Sequence, residues 1–247
     1  LAEQERIVAK LDAAFAEIDG AIETVELNLD NAKAIFQKYL DSKIFNQNKN
    51  CDIITIDKVC HLGDGNHSSK YPKKAEMRET GIPFLRSGNI VDGKISSENL
   101  VYISEEKHLV LKKGHIREGD LLLTNRGAGI GEIALVDKRF DNCNLNSQIA
   151  WLRCKKELLN HYLYYCLLSS SVKETVLKAK TGAALPQLTM AEIKKIKINL
   201  RSRAEQSKLI EDFYIVETCK NELILTLTKK IKLLTTLKTS ILSEAIA

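Results

Sequence analysis

One helical stretch in this chain is written twice, and that repeat limits the fold more than any other feature. Ala2-Glu3-Gln4-Glu5-Arg6-Ile7-Val8-Ala9-Lys10-Leu11-Asp12 returns, at a constant offset of 202, as Ala204-Glu205-Gln206-Ser207-Lys208-Leu209-Ile210-Glu211-Asp212. Apolar positions keep the offset, with Val25 falling on Leu227, Leu29 on Ile231, Ala32 on Leu234, Ile35 on Leu237 and Tyr39 on Ile241. Solenoid units recur every 20–50 residues or so, so this is one helical element used twice around a different insert.

Each copy carries a stripe. From Ile7 the apolar residues run Leu11, Phe15, Ile18, Ile22, Val25, Leu29, Ala32, Phe36 and Tyr39, in steps of three and four that average near a coiled-coil seam. Gly20 is the one glycine before residue 45 and there is no proline, so the spacing predicts a rod of about forty residues, roughly 60 Å long. The second copy reads Phe213, Val216, Leu223, Leu227, Ile231, Leu234, Leu237 and Ile241, with a weak layer left to Cys219 or Lys220. Neither stripe is soluble alone, so each helix needs a partner face. If the insert brings residue 50 near residue 200, the two helices form an antiparallel coiled coil. Leu29, Phe36, Leu227 and Leu234 also offer a surface through which a homodimer could form.

Charge separates the insert from the helices. Residues 51–200 hold 23 Lys/Arg against 17 Asp/Glu, whereas residues 1–50 hold 6 against 9, which favours a polyanionic partner for the middle. The six cysteines (51, 60, 143, 154, 166, 219) include no Cys-x-x-Cys pair, arguing against a zinc ribbon and for a reduced, cytoplasmic protein. No apolar run approaches the roughly 18 residues of a membrane span.

Within the insert the periodicity changes to short β-like runs at Ile53–Ile56, Pro83–Arg86, Leu121–Thr124, Ile133–Val136 and Ile149–Leu152, punctuated by glycine turns. Helical stretches follow at about 157–170, 171–180 and 189–195. The reading is an α+β domain, mixed and largely antiparallel. Gly127-Ala128-Gly129-Ile130-Gly131 invites a dinucleotide site, but a strand pattern rather than a helix follows it, so it reads as a tight β-turn. The histidines and cysteines lack metal spacings, and Asp92 with Glu105-Glu106-Lys107 is ordinary charge scatter. No catalytic constellation emerges, and no cofactor is called for.

Two basic loops are more informative. Asn66-His67-Ser68-Ser69-Lys70-Tyr71-Pro72-Lys73-Lys74 mixes lysines, hydroxyls and an aromatic, and Lys178–Gln187 adds Lys180 and Gln187. Hydroxyls and lysines suit phosphates, while Asn, His and Arg suit base edges. Tyr162, Tyr164 and Tyr165 lie on a helix and read as packing residues.

Together these pieces resemble the specificity subunits of type I restriction-modification systems. The first twelve residues look like the start of that family's spacer helix. Asp64-Gly65-Asn66-His67 with Pro72, Gly81–Ile90, Gly119–Thr124 with Arg126-Gly127, and Leu185–Leu188 resemble its target-recognition motifs. The resemblance implies a non-catalytic, sequence-specific reader of double-stranded DNA that directs methyltransferase (M) and restriction/translocase (R) subunits to one half of a bipartite site. It divides the chain into a spacer helix at 1–48, a DNA-recognition domain at 49–200 and a second spacer helix at 201–247. A complete subunit of this kind carries two recognition domains. With the first recognition domain missing, the resemblance implies either the C-terminal half of a split or truncated gene or a half-subunit that pairs with itself. Asn199-Leu200-Arg201-Ser202-Arg203 also lacks the Pro-Pro usual before the second spacer. The expected DNA-contacting residues are Asn66, His67, Ser68, Ser69, Lys70, Tyr71, Lys73, Lys74, Arg86, Asn89, Arg126, Lys180 and Gln187. Arg86 and Arg126 have an alternative role, bracing a loop through Asp120. The rival reading of the whole chain is a coiled-coil scaffold whose central domain binds a protein.

Overall fold

The computed structural model describes residues 2–45, 52–66, 71–181 and 187–246. In chain order its elements are α1 (Ala2–Ile44), β1 (Asp52–Thr55), α2 (Ile56–Val59), β2 (Cys60–Asp64), β3 (Ile82–Leu85), β4 (Ile90–Val91), β5 (Lys94–Ile95), β6 (Val101–Ile103) and α3 (Glu105–Val110). There follow β7 (Leu121–Thr124), β8 (Ile133–Leu135), β9 (Asn144–Leu145), β10 (Ile149–Cys154), α4 (Asn160–Leu167), α5 (Ser170–Thr181), α6 (Met190–Lys195), β11 (Lys197–Leu200) and α7 (Arg203–Ile246). The chain is therefore α+β, as expected. Its contacts define two compact units, 1–40 with 212–247, and 41–211.

The first unit is the helical hairpin. Phe213 meets Tyr39 edge-on at 6.1 Å, Lys220 lies over Phe36 at 4.4 Å and Lys238 over Phe15 at 5.4 Å. Positions rising along α7 meet positions falling along α1, so the pair is antiparallel. Ile18, Val25, Ala32 and Phe36 are buried along the α1 seam, while Ile7 is 42% exposed and stands outside it. On α7 the structure corrects the phase of the stripe. Leu223 and Leu237 are exposed, and the half-buried residues are Lys220, Ile224 and Lys238. Steps 216, 220, 224, 227, 231, 234, 238 and 241 keep the threes and fours on one face. Lysine serves two layers because its methylene stem packs as an apolar group while its ammonium sits on a ring face. Lys238 also meets Asp19 at 2.6 Å.

The second unit is built on a four-stranded antiparallel sheet in the order β2-β10-β7-β8. All four residues of Leu121–Thr124 are buried, which is why β7 reads as a continuous apolar run rather than an alternating one. A three-stranded sheet, β6-β3-β9, places β3 antiparallel to β6 and parallel to β9. Leu85, Leu122, Phe140, Leu145 and Ile149 share one core. The ribbon β1–β11 pairs Asp52 with Leu200 and Thr55 with Lys197, closing the unit. The residues that replace Pro-Pro have work at this junction. Asn199 Nδ2 and Arg201 Nη2 donate to the Ile44 and Lys43 carbonyls at 2.8 and 2.9 Å, satisfying the C-terminal end of α1. Ser202 and Glu205 form a reciprocal capping box at the start of α7. Gln206, from the repeated Ala-Glu-Gln, is fully buried and ties α7 to the Glu157 carbonyl and the Leu159 N–H.

Candidate nucleic-acid interface

Strand direction gathers motifs that are far apart in sequence. β2 leaves the four-stranded sheet at Asp64, β7 leaves it at Thr124 and β10 enters it at Ile149, and the pairings Asp64 with Ala150 and Thr124 with Ile149 put these points at one end. β3 ends beside them, since the Asn146 N–H donates to the Leu85 carbonyl at 2.9 Å. Asn66, Arg86, Arg126 and Gln148 therefore emerge together. The Leu188 N–H donates to the Asn125 carbonyl at 2.8 Å and Gln187 bridges to Arg126, adding the stretch before α6. Gly65 is required at the exit of β2, because a Cβ there would fall 1.8 Å from the Asn146 carbonyl oxygen.

The expected contact residues divide on burial. Lys73, Lys74, Arg126 and Gln187 are exposed, and Arg126 has no hydrogen-bond or ion-pair partner for its side chain among the described residues. Arg86 is half-buried and donates from Nη2 to the Asn99 carbonyl at 2.7 Å. Tyr71 packs edge-on against Phe84 at 5.4 Å, and burial raises its pKa; its ring anchors the loop. Asn66 and Asn89 are 2% exposed, and here the structure corrects the expectation. The Asn66 amide donates to the Lys113 carbonyl. Asn89 Nδ2 donates to the Glu98 carbonyl at 3.0 Å while its Oδ1 accepts from the Arg86 N–H at the same distance. A buried amide is held by such bonds rather than offered to a ligand. His67, Ser68, Ser69 and Lys70 lie outside the described residues, as does the side chain of Lys180, whose backbone belongs to α5.

Asp120 is not a brace for Arg86 or Arg126. Its carboxylate takes Arg153 Nε at 2.8 Å and Nη2 at 2.7 Å, with the Arg117 N–H at 2.8 Å. Gln148 was missed by sequence reasoning, although it sits at the meeting point of the loops. Its Oε1 accepts from Ser87 Oγ at 2.9 Å and from Asn146 Nδ2 at 3.0 Å, and its carbonyl accepts from the Asn125 N–H at 2.9 Å. Two neighbouring atoms, Thr124 Oγ1 and Asn125 Oδ1, are buried without a hydrogen-bond partner among the described residues. The glycine run forms the β7–β8 turn, with Gly127 and Gly131 at positive φ and the Gly131 N–H bonded to the Thr124 carbonyl at 2.8 Å. Among the described residues no group of three or more His, Cys, Asp or Glu could hold a metal ion, and no helix is long and apolar enough to cross a membrane.

Loops from separate parts of the sequence, gathered at one end of an α+β unit with Arg86, Arg126 and Gln187 among them, define a class of recognition module. Residues 48–233 match the type I restriction modification DNA specificity domain, and the chain belongs to that family. The type I restriction enzyme EcoBI specificity subunit of Escherichia coli is 24% identical over 208 residues, covering 84% of this chain and 41% of that protein. The MjaVIII specificity subunit of Methanocaldococcus jannaschii is 26% identical over 229 residues, covering 85% and 52%. The chain thus spans about half the length of these relatives. In fold it is similar to a structure described under complex assembly and conformational transition of the type I R-M system, with TM-score 0.80 at 19% identity over 98% of this chain and 58% of that one. The HsdS subunit from Thermoanaerobacter tengcongensis follows at TM-score 0.65 and 18% identity, over 99% and 58%.

Proposed function

We propose that this chain is a non-catalytic, sequence-specific DNA-binding subunit of a type I restriction-modification complex, working in the cytoplasm. Residues 49–200 act as the recognition domain, and the helices of 1–48 and 201–247 act as spacer and docking surface for methyltransferase and restriction subunits. The chain reads one half of a bipartite site. The observation that carries this reading is the convergence of Arg86, Arg126 and Gln187, from separate parts of the sequence, at one end of the sheet. Arginine there meets phosphates or base edges, the exposed Lys73 and Lys74 meet phosphates, and the hairpin sets spacing rather than sequence. Leu29, Phe36, Leu227 and Leu234 are wholly or partly covered inside one hairpin, so pairing with a second copy uses the outward Leu223, Leu233 and Leu237 instead.

Titrating salt against binding of the full chain to duplex DNA tests the reading. Several phosphate contacts give a steep linear fall of log K with log salt. A flat dependence supports the scaffold reading and removes this one.

A further inference from the structure

We propose that Gln148 reads a base edge through donors alone and so selects guanine. The inference deepens the DNA-binding reading and rests on it. Its starting point is a backbone group of fixed polarity. The Gln148 N–H can only donate, and it donates to Asn146 Oδ1 at 3.1 Å. The other terminus of the Asn146 amide is therefore Nδ2, a donor, which lies 3.0 Å from the Gln148 side chain. The atom receiving it must be Oε1, since an amide nitrogen there would set two donors face to face. Ser87 Oγ donates to the same oxygen at 2.9 Å. Both acceptor positions of Oε1 are occupied, and Nε2 is turned away from its braces with two N–H groups.

Nε2 has no partner among the described residues, and it is not one of the buried unpaired atoms. Gly127 keeps it uncovered. A Cβ at that position would stand 3.6 Å from Nε2, and the φ of +92° disfavours any side chain there. An unrestrained glutamine pairs with adenine by donating to N7 and accepting from N6. Gln148 has no acceptor left for that second bond. Two N–H groups on one nitrogen match the two major-groove acceptors of guanine, O6 and N7. Thymine offers a single acceptor beside a methyl group, and cytosine offers a donor.

The test selects duplexes from a randomised pool with the full chain as wild type, Gln148→Met, Gln148→Glu and Ser87→Ala. Glutamate keeps one oxygen for Ser87 and Asn146 and turns an acceptor outward, so it preserves the braces. Wild type is expected to enrich guanine at one position that depends on residue 148. Gln148→Met should lower discrimination at that position alone, by roughly tenfold to a hundredfold. Gln148→Glu should move the preference there to cytosine, whose N4 donates. Ser87→Ala frees one acceptor position on Oε1 and should admit adenine. Unchanged preference in both Gln148 variants overturns the proposal and leaves the DNA-binding reading standing, as does adenine as the wild-type base at that position. A wild-type chain that enriches nothing and binds without salt dependence removes both. Thermal melts accompany each selection; if Gln148→Met unfolds early, the glutamate and Ser87 variants decide the matter.

Discussion

Arginine stands at both ends of the four-stranded sheet, with opposite surroundings. At the end where β7 begins, Arg153 grips Asp120 through two nitrogens and lies over the Trp151 ring at 4.9 Å. Asp120 is 1% exposed, and a carboxylate so far from water needs such a partner. At the other end Arg126 is exposed and held only by its main chain, with no carboxylate in contact among the described residues. Both arginines belong to strands or their ends in the sequence, Arg153 within β10 and Arg126 two residues after β7. What separates a frame residue from a candidate binding residue is whether the fold brings a carboxylate within reach.

The largest expected effect lies at the frame end. Asp120→Ala removes three accepted bonds and leaves Arg153 unpaired, at an expected cost of roughly 2–4 kcal/mol in stability. It should appear as a lower urea midpoint with an unchanged slope, and a change below about 0.5 kcal/mol would erase the contrast. Arg126→Ala should show the reverse pattern, with stability within about 0.5 kcal/mol of wild type and duplex binding weaker by roughly 1–3 kcal/mol. Arg126→Lys then sharpens the assignment. Retained affinity with relaxed sequence preference marks a base contact made by the guanidinium fork, whereas no change in either marks a phosphate contact. Lys73→Ala and Lys74→Ala are expected to lower the salt slope by about one each without altering base preference; an unaltered slope takes these lysines away from the DNA.

The smallest effect is a pH dependence. The Lys73 N–H, and then Lys107, hold the Glu76 carboxylate below its ordinary range. A lowered folded pKa means that the brace is fully present above the unfolded value and is lost as pH falls through the folded one. The Lys73 backbone amide should therefore keep its protection from neutral pH down to about pH 5 and lose it only in stronger acid. An NMR titration placing the Glu76 carboxyl at or above an ordinary glutamate would remove this brace from the picture.

What was legible in the sequence was periodicity. The five apolar runs became β1, β3, β7, β8 and β10, and the two stripes became one hairpin, because burial on a regular element leaves a regular trace. β11 left a weaker one: Lys197-Ile198-Asn199-Leu200 is short, half polar and stabilised by β1, which lies about 145 residues away. The seam shift to Ile224 and Lys238 escaped because a lysine at a seam position reads as a break until a ring is found beneath it. Candidate site residues were legible as types but not as exposures. Asn66 and Asn89 look like base readers, yet carbonyls from Lys113 and Glu98 cover them. Gln148 sits in an unremarkable polar triplet, and its role depends on Ser87, 61 residues earlier.

The duplicated helix also fixes a timetable. α1 is made before everything else in this stretch, but the face that covers Val25 and Phe36 arrives only with α7. At roughly 5–20 residues per second, about 200 residues of delay amount to about 10–40 s. Through that interval the first helix lacks the α7 face over its apolar stripe, and the ribbon of β1 with β11 cannot close until residue 200 has emerged. Everything between the two copies must find its shape while the first copy waits for the second.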